Sequence, residues 1–284
     1  MKRLTFMLLI GLLILGLRDP SPGGENEPVK PVNLDKLNTA ADENDPFVAT
    51  DGLTLYYASN KSGTYGILTS KRSSGKDPWP AGKQLLVSKE MDQRSPFLFK
   101  SDLYFASNEI PDEKLIQLRN FDIFKKIGMQ APIPLPGGGV NEKTDEMHPW
   151  VTPAGKEFYF SRKTDEGWKL MVAAGPVPGP IGKVKEVGFA AGFHHATLSK
   201  DALTMYLQGL LKEGQWGLYR SKRDKVGAAW SEPMPLTALN HPETTLGDLS
   251  PSLSADGSKL YFASDRPEGK GGLDIWYVLT SQLK

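Results

Sequence analysis

The sequence predicts an all-β fold, a five-bladed β-propeller of four-stranded antiparallel blades closed by an N-terminal strand. Three observations predict it. First, Leu260-Tyr-Phe-Ala-Ser264 is nearly repeated at Leu103-Tyr-Phe-Ala-Ser107 and Leu55-Tyr-Tyr-Ala-Ser59, with weaker copies at 158–161 and 205–208. The tyrosines Tyr56, Tyr104, Tyr159, Tyr206 and Tyr261 lie 48, 55, 47 and 55 residues apart, a period that fits propeller blades or helical solenoids. Second, each copy follows a lead-in segment carrying Asp45-Pro46, Ser95-Pro96, His148-Pro149, His195-Ala196 or Ser250-Pro251. Third, the residues between these landmarks alternate with period two and are rich in aromatic and β-branched types, which suits strands rather than helices.

The four strands of each repeat follow in order. Strand A carries the lead-in segment. A tight turn at Asp51-Gly52, Ala154-Gly155 or Asp256-Gly257, with weaker versions at Ser101-Asp102 and Asp201-Ala202, makes strand B its antiparallel neighbour. Strand C is expected over 65–69, 121–127, 168–172, 216–220 and 273–278. Strand D, over 83–87, 132–136, 184–187 and 234–239, is dotted with proline, which lacks a ladder donor and belongs on an outer edge. The fifth repeat has no strand D of its own. Pro31-Val-Asn-Leu34-Asp-Lys-Leu37-Asn38 matches Pro233-Met-Pro-Leu236-Thr-Ala-Leu239-Asn240 at four identities in eight, so residues 32–37 are expected to complete the last blade and remove the open edge.

Composition limits the function classes. Net charge is +1, from 34 basic and 33 acidic residues, with no long basic run, which argues against a nucleic-acid partner. With no cysteine there is no disulfide, thiolate metal site or diacyl lipoprotein anchor. Lys2-Arg3 ahead of the apolar stretch 4–17 predicts that residues 1–18 are a signal peptide or short membrane anchor, being too short for a spanning helix. Residues 19–30, rich in Pro, Gly and Glu, read as a flexible linker, and 31–284 as the propeller. The expected location is the periplasm or cell envelope.

The stretches Trp230-Ser-Glu-Pro, 249–266 and Gly271-Gly-Leu-Asp274-Ile-Trp276 resemble the TolB-like, WD-repeat-like propeller repeats of bacterial envelope proteins. The propeller modules attached to OmpA-type domains are similar. The last blade matches best, blades one and two follow it, and blades three and four depart at His148, His195, Ala196 and Gln208. The resemblance implies a scaffold, and a scaffold does not fix a function.

In a propeller the D–A and B–C loops share a face, so the lead-in segments converge on one opening. Asp45, Arg94, Glu146, His148, His194, His195 and Asp248 are the candidate binding residues there. Imidazole and carboxylate suit either metal ligation or proton transfer, while a narrow solvated channel also needs polar lining without any chemistry. Arg94 can grip an anionic group, with Arg162 and Arg266 in support, or brace Asp45 or Asp92 internally. Trp150 is a sugar platform or a packing residue. Gly137-Gly-Gly139 reads as a turn, not a phosphate cradle. The B–C segment 109–120 of blade two is longer than its counterparts and is either a docking lip or a tolerated insertion.

The expected function is a non-catalytic, monomeric envelope propeller, with no cofactor and no bound metal, that captures a protein, peptide or cell-wall glycan across this face. The alternative is a carbohydrate-active hydrolase or lyase, with or without a metal, acting at the channel opening. A carboxylate pair roughly 5–10 Å apart would be its signature.

Overall fold

The computed structural model describes residues 28–108, 120–136, 138–175, 177, 181–211 and 214–283. The apolar N-terminal stretch and nearly all of the long B–C segment of blade two lie outside them. Five four-stranded antiparallel sheets form a ring. Blade one is β2 (Glu43–Val48), β3 (Thr54–Ser59), β4 (Gly66–Lys71) and β5 (Lys83–Leu86). Blade two is β6 (Gln93–Phe99), β7 (Asp102–Ser107), β8 (Asp122–Ile127) and β9 (Ile133–Pro134). Blade three is β10 (Glu146–Val151), β11 (Glu157–Thr164), β12 (Gly167–Ala174) and β13 (Val184–Glu186). Blade four is β14 (His194–Leu198), β15 (Thr204–Leu210), β16 (Trp216–Lys222) and β17 (Met234–Pro235). Blade five is β18 (Asp248–Leu253), β19 (Lys259–Ser264) and β20 (Asp274–Leu279), completed by β1 (Val32–Asn33).

The innermost strands β2, β6, β10, β14 and β18 each contact the next around the axis, and β18 closes onto β2. Between blades the strand B aromatics make the core. Tyr57, Tyr104, Phe105, Phe158, Tyr159, Phe160, Tyr261 and Phe262 are all fully buried, each worth about 1.5–3 kcal/mol of apolar burial. Two tryptophans ahead of strand D are structural, as expected. Arg72 stacks 4.1 Å over Trp79, and Arg223 stacks 4.4 Å over Trp230.

The N-terminal strand closes the ring, but it is shorter than expected. Only Val32 and Asn33 pair with Tyr277 and Trp276. The chain then turns inward, Leu34 donating its N–H to the Ile275 carbonyl at 3.0 Å while Leu34 and Leu37 enter the core. Blades two and four shorten in the same way. Leu135 and Leu236 turn into the core just after β9 and β17, each still donating its N–H inward, to the Ile123 and Leu218 carbonyls at 2.8 Å.

Every A–B pairing carries a bulge at the same place, between Asn44 and Phe47, Arg94 and Phe97, Met147 and Trp150, His194 and Thr197, and Leu249 and Ser252. The residue at each bulge is left-handed: Asp45 (φ 51), Ser95 (54), His148 (56), His195 (49) and Ser250 (53). A bulge leaves one residue out of the ladder and re-aims its side chain. The proline after four of the five then costs nothing, because no ladder partner waits for its missing N–H.

Candidate functional site

The bulges place Asp45, Ser95, His148, His195 and Ser250 at the same level of five adjacent strands. Of the predicted residues, Asp45, His148 and His195 are brought together, one ligand-capable atom of each lying within 4.8 Å of the others. The two imidazoles stack with centroids 3.8 Å apart and planes 17° from parallel. A cavity of ≈ 20 Å³ opens beside them, lined by the three residues together with Phe47, Phe97 and Trp150. That is room for one water-sized guest.

Backbone N–H groups of this ring are held by side chains. Asp45 Oδ2 accepts the Ser95 N–H at 3.0 Å, and Ser161 Oγ accepts the His195 N–H at 2.9 Å while bonding His148 Nδ1 at 3.0 Å. Gln208 Oε1 accepts the Ser250 N–H at 3.0 Å. Each left-handed residue at these three positions is thus held by a side chain of the preceding blade. Neither Ser161 nor Gln208 was named as a site residue from sequence, although Gln208 stood out as a departure from the repeat. Their signal was present, since both stand two residues after the repeat tyrosine, where the other copies carry Ala58, Ala106 and Ala263.

Burial raises the Asp45 carboxyl, but Arg94, His195 and the bonds from Ser250 and Ser95 outweigh it, so its pKa falls below the ordinary value. The imidazole pKa values fall as well, which for a base favours the neutral form. Burial first, then His195, His194 and Arg94, hold His148 well below its usual range. Burial lowers His194 to about 3, and it lowers His195 to about 4 against the pull of Asp45. At neutral pH the site holds one carboxylate and neutral histidines.

Arg94 braces Asp45 at 3.3 Å and lies 4.3 Å over the Tyr65 ring, with 23% of its side chain exposed. His194 sits one residue off the ring. Its Nδ1 bonds the Gly192 carbonyl at 3.0 Å, and it stacks on Trp168 at 5.3 Å and meets Trp216 edge-on at 4.8 Å. Glu146 and Asp248 do not join the cluster. Glu146 is bound by Arg162 at 2.8 Å and by the Glu142 N–H at 2.9 Å; Asp248 is bound by Arg266 at 2.6 Å and the His241 N–H at 2.7 Å. Glu146 ties its D–A loop to strand B of its own blade, and Asp248 ties its D–A loop to the B–C loop just past strand B. Arg162 and Arg266 are therefore committed inward, not offered to a ligand.

A wider space lies on the opposite face. The A–B turns at Thr50, Lys100, Pro153, Lys200 and Ala255 rim a funnel of ≈ 610 Å³ whose wall includes Phe47, Phe97, Phe99 and Trp150. Phe47, Phe97 and Trp150 line both this funnel and the small axial cavity, so the funnel narrows toward the histidine pair. Trp150 also packs against Tyr159 at 6.3 Å, which makes it a wall residue and a packing residue at once.

No family model matches the chain, and no curated protein matches it in sequence. Solved structures do resemble it. The catalytic domain of a GH62 α-L-arabinofuranosidase from Coprinopsis cinerea superposes with TM-score 0.58 at 9% identity, over 89% of this chain and 98% of that one. An endo-arabinase from Bacteroides thetaiotaomicron gives 0.55 at 12% identity, over 87% and 96%. TolB from Acinetobacter baumannii gives 0.53 at 15% identity, over 84% of this chain and 54% of TolB. The chain folds as these propellers do. At such identities the likeness carries the fold alone.

The expected non-catalytic envelope binder is corrected by these findings. The likeness spans almost the full length of sugar-cleaving propellers, whereas it reaches about half of TolB. The residues expected to present a binding face are also spent internally, Glu146, Asp248 and His194 being buried and bonded within their own loops.

Proposed function

We propose that the chain is a carbohydrate-active hydrolase whose site is the central channel at Asp45, His148 and His195. One observation carries this reading: an aromatic-walled funnel of ≈ 610 Å³ narrows onto a buried carboxylate and two neutral imidazoles. Phe47 and Phe97, with centroids 4.8 Å apart, and Trp150, 5.9 Å from Phe97, offer ring faces to the C–H faces of a sugar. The named substrates of the similar propellers, arabinofuranosides and arabinan, make arabinose-containing chains the first class to try.

Glu146 and Asp248, tied to arginines, do not supply the second carboxylate that a two-carboxylate mechanism needs. A histidine base fits the ring instead. A neutral imidazole takes a proton from a water in the axial cavity, and the ionised Asp45 beside His195 stabilises the imidazolium formed. The water oxygen bonds to the anomeric carbon as the glycosidic C–O bond breaks. The departing oxygen takes a proton from solvent on the opposite face and the imidazolium releases its own to solvent, so the sum is one water added across one bond. We also infer export directed by residues 1–18, supported by Lys2-Arg3 and the apolar stretch behind them.

The test is sugar release by the purified chain from arabinan, arabinoxylan and xylo-oligosaccharides, with and without added divalent metal. Asp45→Asn and His195→Gln should lose at least 100-fold of that release, roughly the scale of one proton-transfer group, while keeping the wild-type circular dichroism. A folded wild type that releases nothing from the whole panel removes the reading.

A further inference from the structure

We infer that Asp45, His148 and His195 form a binding site for one divalent transition-metal ion, such as Zn²⁺, on the propeller axis. The inference shares its channel with the proposed hydrolase and rests on that reading only for what the ion would do there, not for whether it binds. The donor set is two imidazoles and one carboxylate from blades one, three and four, all within 4.8 Å. Two nitrogens favour a borderline ion over calcium or magnesium, which take oxygen ligands. Three protein ligands with a fourth position open toward a cavity is the arrangement of a reactive centre, not a closed structural one.

Two further observations point to a guest. His195 Nδ1 is buried with no hydrogen-bond partner, although buried ring nitrogens are ordinarily satisfied. The adjoining cavity of ≈ 20 Å³ has room for a single ion or water. Ser161 supplies the outer support: when His148 donates from Nδ1 to its hydroxyl, at 3.0 Å, Nε2 keeps its lone pair for the axis. On the carboxylate, the one hydroxyl proton of Ser250 serves both Asn44 Oδ1 at 2.7 Å and Asp45 Oδ1 at 3.0 Å, which leaves acceptor capacity in reserve.

Two features oppose the ion, and both give the inference a handle. A tetrahedral ion with bonds of about 2.05 Å holds its donors about 3.3 Å apart, so the set must draw in and the imidazole stack must open. Arg94, 3.3 Å from Asp45, is a like charge beside the site. It is partly exposed and rests on Tyr65, so it can turn outward when a cation takes its place.

The experiment uses the chelator-treated full chain, titrated with Zn²⁺ by calorimetry and with Co²⁺ by visible absorption. One ion per chain is expected, with Co²⁺ d–d bands of four- or five-coordinate intensity and no heat with Ca²⁺. Asp45→Asn and His195→Gln should each weaken Zn²⁺ at least 100-fold, and Arg94→Gln should tighten it about tenfold. Melting curves of each variant identify any that fails to fold, and Arg94→Gln then still decides the matter. No ion bound by the wild type, or Zn²⁺ affinity unmoved in folded His195→Gln, overturns the inference. Zn²⁺ bound without sugar release keeps the metal site and removes the hydrolase; sugar release that survives chelation, with no ion bound, does the reverse.

Discussion

The side-chain amide of Asn38 takes the place of a strand residue beside Ile275, donating from Nδ2 to its carbonyl at 2.9 Å and accepting its N–H on Oδ1 at 3.0 Å. The same pairing joins Asn240 to Leu218 and Asn141 to Ile123. Three blades thus extend a short outer strand with an amide side chain. In the last blade that amide bridges the two ends of the propeller.

Asn38→Ala should therefore destabilise the whole ring, not only its first residues. The buried N–H of Ile275 loses its partner, at about 1–3 kcal/mol for an unsatisfied group, while its carbonyl keeps the Leu34 N–H. Thermal denaturation should show the loss, and deletion of residues 28–38 should show a larger one. If both variants melt with the wild type, closure by the N-terminal segment does not stabilise the fold.

The ion pair of Arg266 with Asp248, at 2.6 Å, is almost completely buried, the side chains being 5% and 1% exposed. Removing one partner leaves a buried charge alone, so Arg266→Ala should cost about 3–5 kcal/mol. Urea midpoints read this directly. A shift below about 1 kcal/mol, the worth of an exposed pair, would mean that water reaches Asp248.

Stability should fall on mild acidification. The folded pKa values of His194 and His195, about 3 and about 4, lie below the ordinary value of 6.5 that holds in the unfolded chain, and His148 is also well below it. Between these values the unfolded chain binds the protons and the folded chain does not. Stability is complete above pH 6.5 and declines as pH drops from about 6.5 toward 4, by up to about 1.4 kcal/mol per pH unit for each imidazole. The lowered Asp45 has the usual carboxylate sign, its share being present above pH 3.8 and lost on further acidification. Urea midpoints at pH 7.5 and pH 5 test this, with His194→Gln as the comparison that should flatten the slope. Equal midpoints at the two pH values would contradict neutral buried histidines.

The blade count, the antiparallel order and the closing partner were legible because each is written locally or by repetition. Period-two alternation, Asp51-Gly52 and Asp256-Gly257 act over a few residues, and the four identities between 31–38 and 233–240 fall on residues with one job in both places. Leu34, Leu37, Leu236 and Leu239 are all core residues, and Asn38 and Asn240 are both amide bridges.

The direction of individual side chains was not legible. His148 and His195 lie at the axis, whereas Glu146 and Asp248, two residues earlier in their repeats than His148 and Ser250, turn to Arg162 and Arg266. The bulge makes that difference, because one residue at positive φ sends its side chain to the channel while the ladder resumes on either side of it. The sequence by itself determined how many blades there are and which segment seals them, since those follow from local pattern and repetition. Only the tertiary structure decided which polar side chains meet, because Asp45, His148 and His195 come from three blades and become neighbours only when the ring closes on its axis.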